Sequence, residues 1–339
     1  MKTKLAKKPK APAWASRAGK KLRKDFPKFA EKIPLYSFLD PKTFKVAGYF
    51  VGQNAGSVVL KVSDKSGTYI VKSTADPKTL ITEVTFLKQW TRVGANTVKV
   101  LDLIKPRKEF PFAAAVLEYI QKEITEESLL KNKKAMPSVY KKLGQGLAIM
   151  HKAKGKGFGK VINIEKLTGK YSTYGGMIQS PLAVGKKQQT TLVKNKLLEE
   201  KDIPLIAKAI SVVEKDIKNG RRSSLIHDDP GVFNTFGISS LKFFDPYPKI
   251  SHPFEDLAHA MIWASFYNTG TKGMHQNVML GYGLKQRDMQ ILQAALFLKI
   301  LDKWSWWVRR GRDEKVALTW IEKTKKLFIY AKEGVESVI

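Results

Sequence analysis

The chain has 339 residues, 43% of them hydrophobic and 10% aromatic, which is enough for two globular domains or lobes. It contains no cysteine, which excludes disulfide frameworks and thiolate metal sites and fits a reducing, cytoplasmic setting. A formal net charge of +31 makes anions the partners to expect: nucleic acid, anionic headgroups or phosphorylated metabolites.

Residues 1–32 hold twelve Lys or Arg against Asp25 and Glu31, a net +10, with prolines at 9, 12 and 27. They are expected to form a basic, flexible arm, disordered or loosely docked, with order beginning near residue 33. Its charged start is not followed by an apolar core, so it does not read as a signal peptide. In "FKVAGYFVGQNAGSVVLKVSDKSGTYIVKST" three β-rich runs are separated by turn residues and predict an antiparallel meander. A helix is predicted over "DPKTLITEVTFLKQWTRVG", with Asp76 as N-cap, Pro77 at the first helical position, and Leu80, Val84, Leu87 and Trp90 on one face. Two more strands follow in "VKVLDLIK" and "FAAAVLEYIQ", and the second runs into a polar crossing. From residue 137 the pattern is helical: "PSVYKKLGQGLAIMHKA", "IPLIAKAISVVEKDIKNG", "FEDLAHAMIWASFYNTG", "RDMQILQAALFLKILDKWSWWV" and "KVALTWIEKTKKLFIYAKEG". Gln290, Gln293, Lys299, Asp302 and Lys303 interrupt the most apolar of these, which reads as a core helix rather than a membrane span. The expected class is α+β, with a small β-rich lobe over 33–121 and a larger helical lobe over 122–339.

Five polar positions carry the chemistry. Lys72 ends the third strand and Glu83 lies eleven residues later on the helix, so they can pair and hold the lysine toward a phosphate. Upstream, the turn in "VGQNAGSVV", with Gly52, Gly56 and Ser57, lets backbone N–H groups approach phosphate oxygens. The segment "SLIHDDPGVFNTFG" sets Asp229 and Asn234 five residues apart between apolar flanks, and Asp245 follows in "LKFFDPYP". Phosphoryl transfer needs a carboxylate to orient the attacking hydroxyl and accept its proton, together with oxygen ligands for Mg²⁺ on the nucleotide phosphates. Asp229 suits the first role; Asn234 and Asp245 suit the second. "FGISSLKFF" between them reads as two short strands and a turn, which allows the three to cluster. His151 is expected to pack or cap, and His252 and His259 lack acids at metal-site spacing.

Over residues 45–265 the chain resembles the aminoglycoside phosphotransferase and fructosamine kinase superfamily, a branch of the protein-kinase-like fold whose members phosphorylate small-molecule hydroxyls with ATP and Mg²⁺. The resemblance rests on "IHDDPGVFN", similar to that family's His-Gly-Asp and Leu-His-Pro-Gly-Asn run, and on "FFDPYPKISHPFEDLAHA", similar to its Asp-Pro and Asp-Leu-Ala segments. It implies a bilobal kinase-like fold with Asp229 as catalytic aspartate, Asn234 and Asp245 as metal ligands, His227 as a structural support and Asp256 as a brace of the catalytic loop. It also implies that the backbone near Glu118 and Tyr119 meets adenine. Asp228 departs from the family's glycine, and "PGVF" from its usual linking residues.

The implied activity is transfer of the γ-phosphoryl group of ATP to a sugar, sugar phosphate, nucleoside or similar acceptor, since a chain at +31 repels cationic aminoglycosides. Two alternatives stand beside it: a kinase acting on nucleic acid or a nucleic-acid-bound protein through the basic arm, and an inactive kinase fold used as a binding module. Removal of residues 1–32 is expected to leave small-molecule transfer intact.

Overall fold

The computed structural model describes residues 5–6, 16–50, 56–181, 183–266, 273–310 and 314–338. In chain order the elements are β1 (Leu5–Ala6), α1 (Arg17–Phe29), β2 (Lys45–Phe50), β3 (Ser57–Asp64), β4 (Gly67–Thr74), α2 (Pro77–Arg92), β5 (Val100–Ile104) and β6 (Ala114–Glu118). Then come α3 (Thr125–Lys131), α4 (Met136–Met150), β7 (Phe158–Asn163), β8 (Thr168–Tyr171), α5 (Tyr174–Ile178), α6 (Lys186–Lys194) and α7 (Ile203–Lys218). The last stretch contains β9 (Ser224–Ile226), β10 (Thr235–Phe236), β11 (Lys242–Phe243), β12 (Lys249–Ser251), α8 (Phe254–Phe266), α9 (Met274–Tyr282), α10 (Met289–Arg310) and α11 (Glu314–Glu336).

The N-terminal part is one antiparallel sheet in the order β1-β2-β3-β4-β6-β5. Period-two alternation gives the sheet two packed faces. Ala114 and Val116 of β6 join Leu60, Val62 and Val71 beneath α1, while Ala115 and Leu117 turn the other way onto Leu80 and Val84 of α2. The cap expected for α2 is present: the Asp76 carboxylate accepts from Lys78 N–H at 3.1 Å, ahead of Pro77.

Helix α1 corrects the arm reading. The Ser16 hydroxyl caps it by accepting from Gly19 N–H at 3.1 Å, and Leu22, Phe26, Ala30 and Ile33 are buried against the sheet. Phe26 meets Phe112 edge-on at 5.4 Å. These four apolar positions recur at helical spacing, a signal that the surrounding lysines outweigh in a composition count. Burial of Leu22 and Phe26 contributes about 1.5–3 kcal/mol each. Deleting residues 1–32 therefore strips one face of the sheet, and the deletion is not the neutral change expected from the sequence.

The C-terminal part is helical around α4, α7, α8 and α10, with α11 packed on α10. The five long helices stand where periodicity placed them. The β7–β8 hairpin, the short α5 and α6, and α9 were not anticipated; β7 continues through β12 to β9 in a second sheet. Among the described residues no helix is long and apolar enough to cross a membrane.

Candidate active site

Two strands and one helix carry the first group. Lys72 near the end of β4 pairs in register with Ala115, and its buried ammonium donates to Glu83 Oε1 at 2.6 Å and Oε2 at 2.7 Å on α2. The same Nζ donates to Asp245 Oδ1 at 2.6 Å, which links the two parts of the molecule. Burial alone would lower the Lys72 ammonium, but Asp245 and Glu83 together raise it well above its ordinary value. Burial also pushes the Glu83 carboxyl up to about 7 against the opposing pull of Lys72. Asp245 remains 44% exposed at its side chain, and although burial would raise it, the Lys72 charge holds it below its ordinary value.

Asp245 is held by what precedes it. Phe243 N–H donates to Asn96 O at 2.9 Å, and Val98 N–H returns a bond to Phe243 O at 2.9 Å. Phe244 N–H donates to Asn234 O at 3.1 Å. Gly237 at φ +75° turns the β10–β11 hairpin, so the expected two short strands bring Asn234 and Asp245 together. Asp245 itself lies in the left-handed region at φ +52°.

The loop after β9 carries the second group. Asp256, wholly buried in the first turn of α8, accepts from His227 N–H at 2.7 Å, Asp228 N–H at 2.8 Å and His151 Nε2–H at 3.0 Å. His151 thus receives a defined partner, with Tyr282 Oη 2.9 Å from its Nδ1. His227 stacks on Trp90 with centroids 6.0 Å apart and donates from Nε2 to Phe244 O at 3.0 Å, so it ties the loop to the Asp245 strand. His252 pairs with Asp216 at 2.9 Å.

Asp229 receives two side-chain donors: Asn234 Nδ2 at 3.1 Å on Oδ2, and Trp263 Nε1 at 2.9 Å on Oδ1. Asn234 Nδ2 also donates to Asp229 O at 2.8 Å, which leaves its Oδ1 without a partner among the described residues. Burial raises the Asp229 carboxyl above its ordinary value against the pull of Lys303. In "PGVF" the Phe233 ring lies over Gly231, where a Cβ would approach it to 2.1 Å, and it meets Trp263 edge-on at 4.8 Å.

The sequence reading missed what lies behind the loop. Asp228 occupies the left-handed region at φ +55°, and its carboxylate accepts from buried Lys299 Nζ at 2.5 Å, with Lys249 Nζ at 3.6 Å. Lys249 also reaches Glu255 at 2.7 Å. Burial alone would raise the Asp228 carboxyl, but Lys249 and Lys299 hold it well below the usual carboxylate range. The available signal was the pair of lysines, Lys299 and Lys303, in an otherwise apolar helix.

Of the other named positions, Glu118 ends β6, where its carboxylate accepts from Lys99 N–H at 2.6 Å and Lys242 Nζ at 2.8 Å. Tyr119 Oη accepts from Lys61 Nζ at 3.2 Å. Gly56 O accepts from Ala75 N–H at 2.8 Å, and Ser57 pairs with Thr74. Gly52 lies outside the described residues. No cluster of three His, Cys, Asp or Glu side chains suited to a metal occurs among the described residues.

Comparison of the whole fold with solved structures returns the amicoumacin kinase in complex with AMP-PNP, Ca²⁺ and its ligand, at TM-score 0.58 and 13% identity, over 93% of this chain and 94% of that one. A thermostable mutant of aminoglycoside phosphotransferase APH(4)-Ia, in a ternary complex with AMP-PNP and hygromycin B, matches at TM-score 0.59 and 13% identity, over 91% and 100%. The microcompartment-associated aminopropanol kinase matches at 0.53 and 15%, over 91% and 96%. The chain has the protein-kinase-like fold of these phosphotransferases. The expected α+β class and bilobal layout hold, with an antiparallel sheet before a helical part. No protein-family model matches the sequence, and no curated protein does.

Proposed function

We propose that the protein is an ATP- and Mg²⁺-dependent phosphotransferase that moves the γ-phosphoryl group to a hydroxyl of a small molecule. The observation that carries this reading is the meeting of Lys72 and Glu83, from consecutive elements, with Asp245 from far along the chain, beside an Asp229 carboxylate already aimed by Asn234 and Trp263. The Lys72 ammonium, held by Glu83, is the group for the nucleotide phosphates. Glu118 and Tyr119 lie where β6 leaves the sheet, the segment assigned to adenine, and the turn at Gly56 and Ser57 to the phosphates.

Asp245 and Asn234 fit a hard divalent cation: the carboxylate is half-exposed, and the unpartnered Asn234 Oδ1 is a neutral oxygen donor. Asp245 and Asn234 would hold the ion by two side-chain oxygens, and a bound Mg²⁺ would supply charge neutralisation at the nucleotide phosphates. Asp229 orients the acceptor. The acceptor oxygen forms the new bond to phosphorus, the γ-phosphorus–oxygen bond to ADP breaks, and the hydroxyl proton passes to Asp229. The Trp263 and Asn234 donors leave this carboxylate little rotational freedom, which provides positioning before reaction. Asp256 fixes the loop by taking both backbone N–H groups that precede Asp229.

The test is calorimetry with a non-hydrolysable ATP analogue, with and without Mg²⁺, followed by ATP turnover across hydroxyl compounds. Metal-dependent binding and acceptor-dependent ADP release are expected. Equal affinity with and without metal rejects the assignment of Asn234 and Asp245.

A further inference from the structure

The wall beyond Asp229 is aromatic. Trp263 holds Asp229, meets Phe233 at 4.8 Å and Phe266 at 5.2 Å, and reaches Trp320 at 6.1 Å. All four rings are half-buried rather than sealed into a core.

The same wall is also cationic. Residues 257–287, which span most of α8 and all of α9, include no Asp or Glu, and the acid beside the lysines of α10 is Asp302, whose charge acts on both. Helix α10 adds Lys299 and Lys303, four residues apart and so on one face. Their situations differ. Lys299 is neutralised by Asp228 at 2.5 Å. Lys303, one turn further on, makes no hydrogen bond or ion pair with any described residue, and its Nζ lies 6.0 Å from the centroid of the Trp306 ring. It is half-buried. After burial, its charge is the largest influence on the Asp229 carboxyl, whereas Lys72 and His227 are the charges that act on Asp245. On α10 Lys303 stands one turn from Lys299, which holds Asp228, and one turn from Trp307, whose ring meets Phe266 at 5.8 Å and Trp320 at 5.2 Å, so it lies along the wall that Trp263 begins. A partly desolvated ammonium that forms no ion pair with a described residue favours an anion and opposes a second cation.

We propose that Lys303 recognises the acceptor, and that the acceptor is an anionic hydroxyl compound, bearing a phosphate or carboxylate, that packs on Phe233 and Trp263. This rests on the phosphotransferase reading and narrows its substrate class. It also separates acceptor recognition from the chain's overall charge, since one lysine at one site is responsible.

The test uses one ring in four charge states: D-glucose, D-glucose 6-phosphate, D-glucuronate and D-glucosamine. A second series pairs adenosine with its 5′-monophosphate. Each is titrated calorimetrically into the full chain holding Mg²⁺ and the ATP analogue. The anionic members are expected to bind roughly tenfold tighter than their neutral parents, with glucosamine weakest. Comparison of the phosphate with the carboxylate member tells which anion the site takes. In Lys303→Met the gap between anionic and neutral members closes, and in Lys303→Arg it persists. The proposal is overturned if no anionic member exceeds its neutral parent in either series, if glucosamine binds best, or if a folded Lys303→Met keeps the gap. The wild-type series alone can refute it, so a misfolded variant does not shelter it. Failure of the parent reading shows separately, as absent metal-dependent binding of the ATP analogue.

Discussion

Two buried charge networks flank Asp229, and they differ in what they leave open. The one in front joins Lys72 to Glu83 and Asp245, with Asp245 44% exposed. The one behind joins Asp228 to Lys299 and Lys249, with Lys249 passing the charge on to Glu255, and every member is largely closed to water. Both obey the rule that a buried charge is paired. The front network ends in a carboxylate with an accessible oxygen, so it can exchange its partner for a metal. The rear network exposes no side chain beyond 19%, so it is built to hold. A carboxylate at position 228, in a left-handed backbone conformation that glycine adopts without cost, is accommodated because two lysines fix it.

Neither network supplies the reacting group, and the largest expected effect lies between them. Asp229→Asn should lower phosphoryl transfer by about two to four orders of magnitude while ATP affinity stays near wild type, as measured by steady-state turnover and calorimetry. Turnover that survives this change moves the chemistry away from Asp229.

Breaking the rear network should cost stability. Lys299→Met leaves Asp228 with only the more distant Lys249, and a loss of about 3 kcal/mol is expected in denaturant unfolding. The double change Asp228→Gly with Lys299→Met removes both charges and restores a residue suited to φ +55°, so most of the loss should return. An additive double variant would show that the pair is not the anchor of the loop.

The front network should respond to metal instead. Asp245→Ala is expected to abolish the gain in ATP affinity that Mg²⁺ gives, roughly tenfold or more, because it removes the carboxylate proposed to hold the metal. Calorimetry of the variant at two metal concentrations checks this, and a retained gain refutes the role.

The smallest effect distinguishes the networks by pH. Burial pushes the Glu83 carboxyl up to about 7 from an ordinary 4.5, against the opposing pull of Lys72. The folded state therefore binds the proton more tightly, and this contribution to stability is full below 4.5 and lost as pH rises through about 7. Asp228 is shifted the other way, so its contribution is present above the ordinary carboxylate value and lost only on strong acidification. Unfolding free energy of wild type minus Glu83→Gln, followed in metal-free buffer, should fall across the Glu83 window. A flat difference would show that Glu83 is ionised throughout.

The sequence by itself determined the elements and the order of the polar groups that form the candidate site. Strand alternation, the Asp76–Pro77 start of α2 and the five-residue spacing of Asp229 and Asn234 are local signals, set by backbone geometry within a few residues, so they need no knowledge of the fold. Lys72 and Asp245 were legible as polar residues ending apolar runs, and Glu83 as the acid eleven residues on, in the following helix. The tertiary structure alone decided which charges meet. Lys299 and Asp228 are 71 residues apart, Trp263 reaches Asp229 across 34, and α1 hides Leu22 and Phe26 against strands formed later in the chain. An ion pair has no periodicity, and a helix rich in lysine looks like a tail until a sheet covers its two or three apolar positions. Desolvation and charge compensation arise only when distant segments pack, so the closed network, and a Lys303 that forms no ion pair among the described residues, became visible only in the folded chain.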